Sequence, residues 1–158
     1  MKSILALASA IFMAACSAHV ATTTRPAPTP PTLSRDQAQQ LMLRADDIRR
    51  QSLEFPRTAD FADAFGGIAL QRLRAQSDRL SMQGMSEEER SSTRELVFWD
   101  PLAGEAVLQV VAERRLVSPG QPNPPWSSTA GQWWARLQNV GGSWLVVDDQ
   151  DLTPDRWR

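Results

Sequence analysis

Residues 133–152 read WWARLQNVGGSWLVVDDQDL, and this stretch decides the architecture. Gly141-Gly142 stands between two segments rich in β-formers, and a two-residue hairpin turn demands a positive φ that glycine adopts freely. The strand before the turn is expected over 129–140 and the strand after it over 143–149. A longer strand is expected over 105–117, where Ala106, Leu108, Val110, Ala112 and Leu116 share one face, interrupted only by Arg114. Asp100-Pro101-Leu102-Ala103-Gly104 supplies a turn ahead of it, and 95–99 is a shorter strand candidate. Residues 118–128, with prolines at 119, 122, 124 and 125, read as a loop.

Upstream of these strands the period changes to that of helices. Ser34 is an N-cap, with Asp36 in the first turn and Gln37 in the capping-box position. Leu41, Ala45, Ile48, Ser52 and Phe55 recur at helical spacing along one face, and Pro56 stops the helix. A second helical region is expected over 58–82, divided by Gly66-Gly67 into a short piece carrying Phe61 and Phe65 and a longer one carrying Ile68, Leu70, Leu73 and Leu80. Gly84 ends it. Glu87-Glu88-Glu89-Arg90 reads as a solvated loop or a turn of helix. Helices first and an antiparallel meander afterwards make an α+β fold, with N-terminal helices packed on one face of a curved antiparallel sheet.

The beginning of the chain is an address. Lys2 precedes an apolar run over 4–15, shorter than the ~20 residues a helix needs to span a bilayer. Met13-Ala14-Ala15-Cys16 resembles the lipobox of bacterial lipoproteins. The resemblance implies a signal peptide over 1–15 and a Cys16 thiol that carries lipid and becomes the new N-terminus. The competing reading is an ordinary secretory signal cut near Ala18. Residues 16–33, with prolines at 26, 28, 30 and 31, form a Thr/Pro-rich tether too poor in apolar surface to fold. The expected location is the cell envelope: the outer membrane of a Gram-negative cell, or the outer face of the plasma membrane of a Gram-positive one.

Composition narrows the chemistry. The 17 Lys and Arg balance 18 Asp and Glu, so nucleic acid is not an expected partner. His19 and Cys16 are the only residues of their kinds, both lie before the fold, and there is no tyrosine. The folded part therefore lacks Ser-His-Asp and Cys-His catalysis and His- or Cys-based zinc sites. No cofactor and no metal are expected, and only carboxylates and arginines remain for chemistry.

Two stretches carry a further resemblance. FADAFGGIALQRLRAQSDRL, residues 61–80, resembles the second and third helices of exported NTF2-like domains, also called SnoaL-like or cystatin-like. Residues 133–152 resemble their closing hairpin, with a tryptophan directly after the turn. The resemblance covers 34–158 and implies a cone whose pocket lies between the helices and the concave face of the sheet. Members include isomerases and hydrolases as well as scaffolds of envelope assemblies, and many dimerise through the sheet. Its motifs specify architecture and not activity.

Candidate residues follow. Asp60 and Asp63 are expected at i and i+3 of one helix, where acids favour the helix dipole more readily than acid/base work. Asp148, Asp149 and Asp151 could hold a cation, but read better as solvated acids ending a strand. Trp133 and Trp134 face opposite sides of their strand. Trp126 in the proline-rich loop and Trp157 near the C-terminus are candidates for a partner or ligand surface. Arg114 either anchors an anion in the cone or lies at the sheet edge, and the edge is preferred. The sequence thus points to a non-catalytic binding or scaffold domain, tethered to the membrane through the Cys16 lipid. An envelope protein, a small apolar ligand or a second copy of the chain would be its partner. Such a domain is expected to have a filled or purely apolar cone. An enzyme of the isomerase or hydrolase type, using Asp and Arg in the cone, is the alternative and requires a buried carboxylate with a raised pKa there.

Overall fold

Ser34 starts the first helix as a full capping box: its Oγ accepts the Gln37 N–H at 3.2 Å and its own N–H donates to Gln37 Oε1 at 2.9 Å. The computed structural model describes residues 32–56 and 60–152. The expected leader, Cys16, most of the expected tether and Trp157 lie outside the described residues. Helix α1 spans Arg35–Glu54 and buries Ala38, Met42, Ala45, Asp46, Ser52 and Leu53. Leu41 and Ile48 flank this face, whereas Phe55 caps the helix and stays exposed. The expected stripe was therefore offset, because its true centre carries a charged residue, Asp46.

No helix forms over the described residues 60–66, contrary to expectation. Phe61–Phe65 make a turn that runs into a parallel bridge between Phe65 and Val146. Val146 donates its N–H to the Ala64 carbonyl, and Gly66 donates to the Val146 carbonyl, both at 2.9 Å. The backbone can come this close only because of the glycine pair. Gly67 has φ +54°, and a Cβ there would stand 2.8 Å from the Val147 carbonyl oxygen. Helix α2, Gly67–Gln83, then departs from the sheet and ends at Gly84 in the left-handed conformation.

The sheet is an antiparallel meander in the order β1-β2-β3-β4. Its strands are β1 Ser86–Asp100, β2 Glu105–Val117, β3 Ser127–Val140 and β4 Ser143–Asp151. Irregular registers at Arg90/Thr93, Leu96/Phe98 and Arg136/Leu137 add local twist and help curl the sheet. Both helices pack in the curl, against a core that includes Met42, Phe65, Leu96, Leu108, Trp133 and Val146. The α+β architecture with helices on one face of a curved sheet is thus present. The unit from Pro31 to Arg158 contains all of this core.

The largest departure is in β1, which begins at Ser86, so that Glu87–Arg90 is strand and not loop. The reason lies in the pairing. Glu89 sits opposite Arg114 with its side chain on the inner face, and Arg90 sits opposite Glu113 on the outer face. A run of charges can satisfy a period of two when ion pairs take the place of apolar neighbours.

Candidate functional site

A cavity of about 1180 Å³ opens between the helices and the inner face of the sheet. Helix α1 contributes Asp46, Arg49 and Leu53, and α2 contributes Arg72, Gln76 and Arg79. Glu87, Glu89, Arg114 and Trp133 form the floor, with Asp148–Asp151 at one end. The cone is therefore neither filled nor purely apolar, against the expectation attached to a non-catalytic domain. The inner positions of β1 and β2 turn from Leu and Val to Glu and Arg toward this end of the sheet, and α1 meets them with Asp46 and Arg49.

These charges are ordered by one another. Asp46 is 1% exposed, and its Oδ1 accepts from Arg49 Nε and Nη2 at 3.2 and 2.8 Å. Its Oδ2 accepts from Arg94 Nε, while Arg94 also donates to Glu89 and Ser92. Arg114 Nε donates to Glu89 Oε2 at 2.6 Å and lies 3.6 Å from Glu87 Oε1. Three carboxylates and three guanidiniums thus form a closed, neutral cluster. Burial pushes the Asp46 carboxyl upward, but the Arg49 charge and the hydrogen bonds from Arg94 and Arg49 outweigh it and hold the pKa below the usual value.

Asp149 is different. Its Oδ2 accepts the indole N–H of Trp133 at 3.0 Å, but its Oδ1 is buried and has no hydrogen-bond partner. Arg72 Nη1 is 3.8 Å from that oxygen and bonds instead to Asp148 Oδ1, at 2.8 Å, and to the Asp149 carbonyl. Burial pushes the Asp149 carboxyl above the usual range, and Asp148 adds to it. The Trp133 bond and the charges of Arg49 and Arg72 oppose the shift without cancelling it. An orphaned buried polar atom is rare and marks a place where a group is missing or a proton is held.

The residues singled out from sequence separate into three groups. Trp133 and Arg114 come together on the cone floor, 2% and 7% exposed. Trp133 carries the Arg49 guanidinium over its ring, 4.8 Å from the centroid. Arg114 is not at a sheet edge, since β2 is an inner strand flanked by β1 and β3. On the outer face, Trp126 is half-buried with Arg90 and Arg115 stacked over its ring at 4.3 and 4.4 Å. Both arginines are ion-paired, to Glu113 and Glu88. Trp134 lies on that face too, with Arg136 at 5.6 Å. Cys16 and Trp157 form the third group, outside the described residues. Asp60 and Asp63 share a turn and not a helix. Both are exposed, Asp60 accepting the Ala62 N–H and Asp63 facing Arg44 at 3.8 Å.

Sequence reasoning missed Asp46, Arg49 and Arg94, and misplaced Glu87 and Glu89. The available signal was the alternation Glu87, Glu89 and Arg114, Leu116 on strands that face each other. Among the described residues no three His, Cys, Asp or Glu side chains group as a metal site would need, and no described helix is long and apolar enough to cross a membrane.

The fold has a solved counterpart. The intermembrane space region of the chloroplast protein ARC6 is similar with a TM-score of 0.59 at 11% identity, over 78% of this chain and 99% of that one. A de novo β-sheet design solved by NMR reaches a TM-score of 0.42 at 15% identity, covering 78% of this chain and 95% of the design. A Nostoc punctiforme protein of unknown function with a cystatin-like fold reaches 0.40 at 11% identity, covering 80% and 97%. At such identities the ARC6 likeness shows the fold alone. No family model and no curated protein matches the chain in sequence.

Proposed function

We propose that this chain is a lipid-anchored envelope protein whose NTF2-like cone holds a small polar ligand without transforming it. The observation that carries this reading is the open cone, with a self-neutralised floor and one buried carboxylate oxygen, Asp149 Oδ1, left without a partner. Ligand pockets combine apolar walls with a few fixed polar groups, and here Leu53, Leu73 and Leu116 supply the first kind of surface. The polar lining replaces the small apolar ligand expected from sequence with a ligand that hydrogen-bonds. The resemblance of residues 13–16 to a lipobox, and the Thr/Pro-rich composition of the stretch behind it, support the anchor.

Native mass spectrometry of the chain purified from the cells that make it is the test. A small adduct that survives gentle ionisation and is lost on unfolding supports a working pocket. A bare mass sinks the ligand reading and leaves a scaffold. A second reading, an enzyme that uses Asp149 as acid or base, is favoured by the raised pKa of that carboxyl inside the cone. It predicts that the released adduct is chemically altered when returned to fresh protein, whereas a binding protein returns it unchanged.

A further inference from the structure

The charges on the cone floor are matched, but their hydrogen bonds are not. Asp46 and Glu89 accept every hydrogen bond that the cluster gives to a carboxylate. Glu87 accepts none among the described residues. It lies 3.6 Å from Arg114 Nε, which donates to Glu89 instead. Arg114 donates through Nε alone, which leaves its Nη1 and Nη2 unbonded among the described residues. Both residues are only 7% exposed. Asp149 Oδ1 is the one described side-chain atom that is both sealed from solvent and unbonded, so the unbonded atoms of Glu87 and Arg114 reach open space. Both residues line the cone, and that space is the cone.

The fold surrounds this pair with an apolar wall. Glu87 follows α2 after a short turn and sits opposite Leu116 on β2, one step along the same face from Arg114. Leu80 lies in the last turn of α2 and Leu53 in the last turn of α1. Ser77 ties the two helices there, its Oγ donating to the Ser52 and Pro56 carbonyls. Leu53, Leu80 and Leu116 all line the cavity. A water occupies about 30 Å³ of liquid, so the few waters that satisfy Glu87 and Arg114 leave most of the 1180 Å³ for something larger.

We infer that this end of the cone takes a neutral amide edge, a primary amide or lactam whose carbonyl accepts from Arg114 Nη and whose N–H donates to Glu87. The inference rests on the reading of the cone as a ligand pocket and names the ligand class. Acceptor and donor stand side by side, and each is charged, which strengthens a hydrogen bond to a neutral partner. A carboxylate would suit Arg114 but meet the like charges of Glu87 and Glu89. An ammonium would suit Glu87 but meet Arg114. Primary amides and lactams present C=O and N–H on one edge, whereas the trans amide of a peptide points them to opposite sides. The hydrocarbon remainder of the ligand would lie against the three leucines.

The test is calorimetric titration of the chain as its cells process it, stripped of any resident ligand by unfolding and refolding. The probes are hexanamide, ε-caprolactam, hexanoate, hexylamine and N,N-dimethylhexanamide, which keeps the carbonyl and lacks the N–H. Hexanamide and the lactam are expected to bind saturably, and roughly ten-fold or more tighter than the other three. Glu87→Met removes the acceptor without breaking a described hydrogen bond of the fold. It is expected to weaken hexanamide by roughly ten-fold or more and to leave N,N-dimethylhexanamide unchanged. Equal binding of hexanoate or of the dimethyl amide by the parent overturns the inference. So does a lack of saturable binding by hexanamide and the lactam, or a Glu87→Met variant that binds hexanamide like the parent. The probe comparison uses the parent alone, so it decides the question even if Glu87→Met does not fold. If a native adduct is found while neither amide binds, the pocket stands and only the ligand class falls.

Discussion

Trp133 donates its indole N–H to Asp149 at 3.0 Å, across the pair of strands that closes the meander, while the second oxygen of that carboxylate stays buried and unbonded. One hydrogen bond thus fixes the carboxyl without satisfying it. Only 1% of Asp46, on the neighbouring wall, is exposed, and both of its oxygens are bonded to arginine. The two acids respond oppositely to pH.

Burial holds the folded-state pKa of Asp149 above that of an ordinary aspartate. The native state therefore holds a proton that the unfolded chain has released, and stability from this group is full below the unfolded pKa and lost as pH rises through the folded one. Asp149→Asn keeps the acceptor for Trp133 and removes the ionisation. Its thermal midpoint is expected to fall less than the parent's as pH is raised from the unfolded pKa toward neutrality, as read by calorimetry across that range. Parallel midpoints for the two proteins would exclude the buried, proton-holding carboxyl.

Asp46 has the opposite sign. Its folded pKa lies below 3.8, so its contribution is present above the unfolded pKa and disappears as pH falls through the folded one. Asp46→Asn leaves Arg49 and Arg94 short of a counter-charge in a largely buried cluster. Breaking such a pair costs about 3–5 kcal/mol. Urea unfolding at neutral pH is expected to show a loss of this order, shrinking as both proteins are taken into acid.

Gly67 holds α2 to β4. An alanine there would adopt a left-handed φ of +54° and place its Cβ 2.8 Å from the Val147 carbonyl oxygen. The conformation alone costs roughly 1–2 kcal/mol, and the clash adds to it. Gly67→Ala is expected to lower the urea midpoint and to speed hydrogen exchange at the Gly66 and Val146 amides, which bridge the two elements. Unchanged exchange at both amides would show that α2 is held by other contacts.

Cys16 tests the anchor without reference to the fold. In a bacterial host the parent is expected to partition with detergent and to yield an N-terminal peptide whose mass includes lipid. Cys16→Ser is expected to stay in the aqueous phase. An unlipidated parent cut near Ala18 would mark the leader as an ordinary secretory signal.

Legibility followed the range of the interactions. The capping box at Ser34 and Gln37, the stop at Gly84, the Gly141-Gly142 turn and the full extent of β2 were readable, because each depends on neighbours in sequence. Glu87–Arg90 was not. A run of four charges has no local reason to be a strand, and becomes one only when β2 supplies Arg115, Arg114 and Glu113 opposite it. The turn at Phe61–Phe65 was misread as helix for a similar reason: its local bonds to the Phe61 carbonyl start a helical turn, but the Ala64 carbonyl and the Gly66 N–H then bond to Val146, about eighty residues away in sequence.

The sequence by itself determined the α+β class, the order of elements and the absence of His, Cys and Tyr chemistry from the fold, since periodicity, turn residues and composition are properties of the chain alone. It also singled out Trp133 and Arg114. Only the tertiary structure decided that they share a cavity with Asp46, Arg49 and Asp149, which of those charges neutralise one another, and which oxygen is left over. Burial and pairing of charges depend on segments brought together from α1, β1, β2 and β4, and no local pattern records which of them will meet.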